Sequence, residues 1–338
     1  MPAELRARLA RWETIIAGLL VCTLVAGSLS SPDFATGGNF NSMLSDITEV
    51  AIIALPMTYI IVVGEIDLSV ASVLGLAGAL VGYLWNHNVP FELIVPLVLV
   101  AGAIAGLVNG LLVTRLGLPS LAVTIGTLAL YRGLAFVILG DQAVADLPTQ
   151  YTDWAFGTFA GTQIPNPFVV FVVLAVVFGF VLHRTTFGRS LFAIGANEEA
   201  AFFSGLRVKR IKLGLFALSG VIAALAGVIF ALRFGSARAD NGNGLELSVV
   251  AVVLLGGVSI FGGKGNLVGV ILAVLLLAAI RSALTINDVA DEVLTIVTGS
   301  LLLVSVLGPS VAARVAEARG RRRAEPRVPV ESGAGSAH

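Results

Sequence analysis

Ten runs of mostly apolar residues, each close to the thickness of a bilayer's hydrocarbon core, leave this chain few ways to fold. They lie near 14–31, 45–63, 69–86, 92–113, 119–140, 167–183, 212–232, 247–262, 266–284 and 292–308. A span needs roughly 20 apolar residues, and in lipid it must be helical, because no water is present to bond a free backbone N–H or C=O. The expectation is an all-α polytopic membrane protein with about ten transmembrane helices. Composition agrees: 57% of the 338 residues are hydrophobic and only 12% charged, outside the range of soluble domains.

Charge sets the orientation. Ten crossings return both termini to one side. With that side cytoplasmic, Arg6, Arg8, Arg11, Arg115, Arg184, Arg189, Arg207, Lys209, Arg210, Lys212, Lys264 and the arginines beyond Gly308 all lie on inner segments. Of the 21 Lys and Arg, only Arg132, Arg233, Arg238 and Arg281 fall elsewhere. Outer loops collect Asp33, Glu92, Asp141, Asp146, Asp153, Asp288 and Asp291 instead. This is the positive-inside asymmetry of a plasma-membrane protein. Residues 1–13 are then a cytoplasmic flank and 14–308 the transmembrane domain. Residues 309–338, rich in Arg, Pro, Gly and Ser, are expected to form a disordered cytoplasmic tail.

Several chemistries are excluded. A formal net charge of zero gives no basic surface for nucleic acid. The single cysteine, Cys22, permits neither an intrachain disulfide nor a Cys-based metal site. His87, His183 and His338 are scattered, with no HExxH among them, so no catalytic residue, metal ligand or cofactor site is expected. Gly262-Gly263-Lys264-Gly265 fails as a phosphate loop. Val258 stands at the first-Gly position and Gly265 where a magnesium-binding Ser or Thr is required.

An internal echo suggests duplication. Ile66-Asp67-Leu68-Ser69-Val70, entering the third run, reads like Leu245-Glu246-Leu247-Ser248-Val249, entering the eighth. Thr124-Ile125-Gly126-Thr127-Leu128 resembles Val297-Thr298-Gly299-Ser300-Leu301. Repeats of about 45–140 and 212–308 follow, with five crossings between the two entering strings. The copies therefore run in opposite directions, as in transport folds whose solute path lies at the repeat interface.

Both entering strings put an acid and a serine at a helix start, which permits two readings. One is capping of first-turn amides and alignment with the helix dipole. The other places Asp67, Ser69, Glu246 and Ser248 on a water-filled solute path, with Asn109, Thr124 and Thr127 on neighbouring spans. For Asn109 and the threonines, interhelical hydrogen bonding competes with solute contact. Asp46 and Glu49, three apart, share a helix face. Arg132 and Arg281 are expected to snorkel to the outer surface. No carboxylate chain crosses the membrane, which favours a neutral, hydroxyl-bearing solute over a proton-coupled one.

The polar stretch Gly188–Lys212, GRSLFAIGANEEAAFFSGLRVKRIK, interrupts the apolar pattern on the inner side. Small, acidic, aromatic and basic residues follow one another there, as on a surface that touches another protein.

These strings carry a resemblance. Gly64-Glu65-Ile66-Asp67-Leu68-Ser69-Val70, Leu107-Val108-Asn109-Gly110-Leu111-Leu112-Val113-Thr114, and Leu118-Pro119-Ser120 with Thr124-Ile125-Gly126-Thr127 resemble the permease subunits of bacterial ABC importers for simple sugars. The ribose, rhamnose and autoinducer-2 systems are the nearest branches. Leu255-Gly256-Gly257 with Gly262-Gly263-Lys264-Gly265 is similar to that family's late glycine turn. Gly195, Asn197, Glu198, Glu199, Ala200, Ala201 and Gly205 match its cytoplasmic coupling segment, within 188–212.

The resemblance implies a division of labour. Two permease copies, identical or related, form the path in the bacterial plasma membrane. Separate cytoplasmic ABC ATPase subunits drive it, and an extracytoplasmic sugar-binding protein delivers a neutral monosaccharide or similar small polyol, rhamnose, ribose or autoinducer-2-like. The chain departs from the family at Glu65, where a second glycine is usual, and at Phe202-Phe203, where a polar position is expected. A secondary active transporter of a small polar solute is the competing class. It would be expected to carry buried ion-coordinating or protonatable residues, and this chain has few.

Overall fold

The computed structural model describes residues 3–290, 292–293, 295–300 and 303. About half of the expected tenth span, 292–308, and the whole of the tail lie outside the described residues. Twelve α-helices are found among them: α1 (Ala3–Ser30), α2 (Gly37–Val62), α3 (Val70–Asn86), α4 (Phe91–Leu116), α5 (Ser120–Leu139), α6 (Thr149–Phe156), α7 (Asn166–Arg184), α8 (Thr186–Ala196), α9 (Glu198–Phe203), α10 (Val208–Arg233), α11 (Leu245–Leu255) and α12 (Leu267–Ile286). Trp12–Ser30 of α1, together with α2, α4, α5, α7, α10 and α12, are seven helices long and apolar enough to cross a membrane. The chain is thus all-helical where described, with α3 and α11 the two apolar helices too short for that criterion.

The shortness of α11 has a local cause. The apolar run continues toward residue 262, but the helix stops at Leu255 because Gly256 packs directly on the backbone of Gly269 and Val270, and Gly257 turns through φ +88°. Hydropathy sees the run and misses the turn.

At the centre lies α2. Every residue from Ile47 to Val62 is buried, as expected of a helix that is apolar all round. The tightest seam joins α4 to α10. A Cβ on Gly106 would collide with the Phe216 carbonyl, and one on Gly220 with the Gly102 carbonyl. Small residues spaced four apart let two backbones approach, and in lipid that packing replaces the hydrophobic drive that water supplies elsewhere.

Polar contacts mark two ends of the bundle. At the first, Trp12 Nε1 donates to the Leu255 carbonyl (2.9 Å), Gly263 N–H to the Val62 carbonyl (2.8 Å), Leu267 N–H to His183 Nε2 (3.3 Å), and Asn266 to Glu13. At the second, Asn287 donates to Ser30 (3.2 Å), Ser282 to Asn39 (2.8 Å), and Trp85 to the Asp146 carbonyl (2.6 Å). There Val144 and Ala237 exchange backbone bonds of 3.0 and 2.9 Å. Two non-helical segments, 63–69 and 234–244, feed α3 and α11.

Candidate transport path and coupling site

Segment 63–69 follows α2 through Gly64, whose φ of +84° suits a residue without Cβ. Unwound backbone inside a membrane protein must find partners, and here α4, α5 and α10 supply them. Ile66 N–H donates to Ser120 Oγ (3.2 Å), and Thr124 Oγ1 donates to the Ile66 carbonyl (3.3 Å). Asp67 Oδ1 accepts from the Ser69 amide (3.1 Å) and hydroxyl (2.6 Å), while Oδ2 accepts from Ser219 (3.0 Å). Asn109 Nδ2 then donates to Ser69 Oγ (2.7 Å), and Tyr131 OH donates to Asn109 Oδ1 (3.2 Å) and the Ala105 carbonyl (2.9 Å). Four of the expected path residues, Asp67, Ser69, Asn109 and Thr124, thus meet in one buried network around segment 63–69. Thr127 is buried beside it and bonds within its own helix, to the Val123 carbonyl (3.1 Å).

The second string is placed differently. Leu245–Val249 forms the first turns of α11 behind Gly244, and Glu246 and Ser248 are half-buried with no side-chain hydrogen bond among the described residues. Neither serine side chain caps its helix: Ser69 holds the N-cap position of α3 but its hydroxyl is spent on Asp67 and Asn109, and Gly244 takes the N-cap of α11.

A cavity of about 640 Å³ opens at the second end, between the start of α2, the ends of α10 and α12, and segment 234–244. Asp46 and Glu49, predicted to share a face, both hold Arg233: Glu49 binds Nε (2.9 Å) and Nη2 (3.2 Å), and Asp46 binds Nη1 (3.1 Å). The Phe234 ring lies 4.4 Å from that guanidinium. Arg238 pairs with Asp240 (2.8 and 3.1 Å) and holds that carboxyl below the ordinary carboxylate range. Arg281 lines the cavity, and its guanidinium has no hydrogen-bond partner among the described residues. Guanidinium and carboxylate groups beside aromatic rings suit a small molecule rich in hydroxyls.

Arg132 corrects an expectation. Rather than snorkelling outward, it donates to the carbonyls of Ala239 and Asn241 (both 2.8 Å) and Ala71 (3.2 Å). Segment 234–244 folds over it, and its carbonyls are the partners that lipid-facing water would otherwise supply.

At the first end α8 and α9 form an elbow. Asn197 caps α9 by accepting from the Ala200 amide (2.9 Å), and Gly205 closes it at φ +92°. Gly195 sits on the backbone of Val62 and Gly263, where a Cβ would collide with both. Ala201 is buried, whereas Glu198, Glu199, Ala200, Phe202 and Phe203 are exposed, the two rings by 61% and 77%. The basic residues Lys209, Arg210 and Lys212 belong to the first turns of α10.

Over residues 39–306 the chain matches the family described as branched-chain amino acid transport system / permease component. The chain belongs to this permease family. Autoinducer 2 import system permease protein LsrD of Photorhabdus temperata is 32% identical to it over 326 residues, covering 94% of this chain and 97% of that protein. LsrD of Yersinia enterocolitica and of Escherichia coli K12 are each 35% identical over 306 residues, covering 89% of this chain and 92% of theirs. No solved structure matches the chain. The permease is therefore a multi-pass inner-membrane subunit of an ABC-type importer, a transport component rather than a catalyst.

Some of its site residues left little trace in the sequence. Ser219 and Tyr131 are single polar letters inside apolar spans, and Arg233 and Lys212 read as flanking charges. The Asp46–Glu49 spacing put two acids on one helix face, but nothing in it named Arg233 as their partner.

Proposed function

We propose that this permease moves a small, neutral, polyhydroxylated solute inward, as one of two permease copies driven by separate cytoplasmic ATPase subunits. The α8–α9 elbow is the docking surface for the ATPase, with Gly195, Asn197, Glu198, Glu199, Ala200, Ala201 and Gly205 as its frame. The observation that carries this reading is the exposure of two acids and two phenylalanines on a capped helix seated against the end of α2. The first end is then cytoplasmic, about ten crossings return both termini there, and the cavity at the second end accepts solute from an extracytoplasmic binding protein. Autoinducer 2, which the relatives' names specify, fits this class of solute, as do ribose and rhamnose. Glu246 and Ser248 lie toward the path, while Asp67, Ser69, Asn109, Thr124 and Thr127 shape it from behind.

Glu199→Arg combined with Phe202→Asp alters only exposed positions. Co-purification of the ATPase with this variant is expected to be lost while membrane insertion is unchanged. Undiminished co-purification contradicts the assignment.

A further inference from the structure

In the turn that leads into segment 63–69 the chain carries a carboxylate, Glu65. Its partner is Lys212, in the second turn of α10 and only 7% exposed. Lys212 Nζ lies 2.6 Å from Glu65 Oε1 and 2.7 Å from Glu198 Oε2. Glu198 is the first residue of α9, and its side chain is 56% exposed, against 13% for Glu65. One ammonium thus joins a carboxylate on the outer rim of the elbow to a carboxylate nearly withdrawn from solvent.

The inner partner is tied to the middle of the bundle. Immediately after Glu65, Ile66 is bonded to Ser120 and Thr124 of α5, and Asp67 to Ser219 of α10. Among the described residues, segment 63–69 has no other ion pair. Charge-assisted hydrogen bonds are short and directional, and an ion left unpaired in a nearly dry site is strongly disfavoured. If α9 shifts and Lys212 follows Glu198, Glu65 must follow Lys212 or lose its counter-charge. A displacement at the docking surface is in this way converted into a displacement of the backbone that enters α3.

We propose that Glu65, Lys212 and Glu198 form an ionic link that positions segment 63–69 according to the state of the α8–α9 elbow. Lys212 is the positioning residue. This rests on the elbow being the ATPase-docking surface, and it adds the route by which docking reaches the path.

The test uses the full transporter with its ATPase subunits, in a Cys22→Ser background carrying Leu68→Cys as a reporter. Maleimide modification of Leu68→Cys is timed in proteoliposomes with and without ATP and vanadate, so no cargo is needed. Trapping is expected to change the rate by about fivefold or more, the scale of a typical coupling between sites. Glu65→Gln and Lys212→Gln should reduce that change to less than about twofold, with ATPase co-purification retained. Lys212→Arg keeps the positive charge between the two carboxylates and should retain the response. Neutralising variants that keep the full response overturn the link, and so does a Lys212→Arg variant that loses the response while still binding the ATPase. A parent protein that shows no response to trapping, or binds no ATPase, counts instead against the proposed function.

Discussion

Two strings that look alike, Ile66–Val70 and Leu245–Val249, have opposite fates in the fold. The first is unwound before α3, its acid and serine 2% and 1% exposed and engaged with two other helices. The second is already helical, its acid and serine half-buried and without side-chain bonds among the described residues. What differs is the company. Asn109 and Ser219 lie within reach of one string, whereas the other opens α11 next to a cavity. Similar strings thus specify a helix entrance twice, while the surrounding spans decide which of them is fixed and which is left available.

The comparison breaks most readily at Asp67. Asp67→Ala strips an acceptor from the Ser69 amide and from two buried hydroxyls. At about 1–3 kcal/mol for each buried donor left unpaired, partly recovered as hydroxyls rotate, the loss is about 3 kcal/mol or more. It should appear as a sharp fall in the melting temperature of detergent-solubilised protein. Asn109→Leu removes one bond to Ser69 but leaves Tyr131 its Ala105 carbonyl, so a drop worth about 1–2 kcal/mol is expected by the same assay. Glu246→Gln, in the free copy, should alter stability by less than about 0.5 kcal/mol. A Glu246→Gln loss equal to that of Asp67→Ala would erase the distinction.

Acidity offers the smallest effect. Arg238 depresses the Asp240 carboxyl, so the folded form holds its proton less tightly than the unfolded chain. The stabilisation is therefore complete above about pH 4, the ordinary aspartate value, and is lost as pH falls through the lower folded value. Proteolysis of segment 234–244 should be unchanged between pH 7 and about 5 and should rise only below the aspartate range. Asp240→Asn should remove that dependence, and a step near neutrality would contradict the assignment.

Much of the helical framework was legible because lipid leaves a polypeptide so few options. The starts of α3 and α11 were visible as polar letters in front of apolar runs, and the elbow as a polar interruption. What escaped was whatever depends on pairing across the chain. Lys212 and Glu65 are 147 positions apart, and nothing in their local sequence links them. Arg132 was misplaced because counting along a span cannot see that residues 239 and 241 fold back over it. The Gly106–Gly220 contact was likewise hidden, since a glycine in an apolar run has the same appearance whether it faces lipid or another backbone.

Reconstitution addresses the central claim most directly. Proteoliposomes containing the permease are assayed for uptake of tritiated ribose, rhamnose and autoinducer 2, with and without ATPase subunits, ATP and the extracytoplasmic binding protein. The account predicts uptake of one of these solutes only when all components are present, and none from the permease alone. Uptake by the permease alone under a proton or sodium gradient would contradict it.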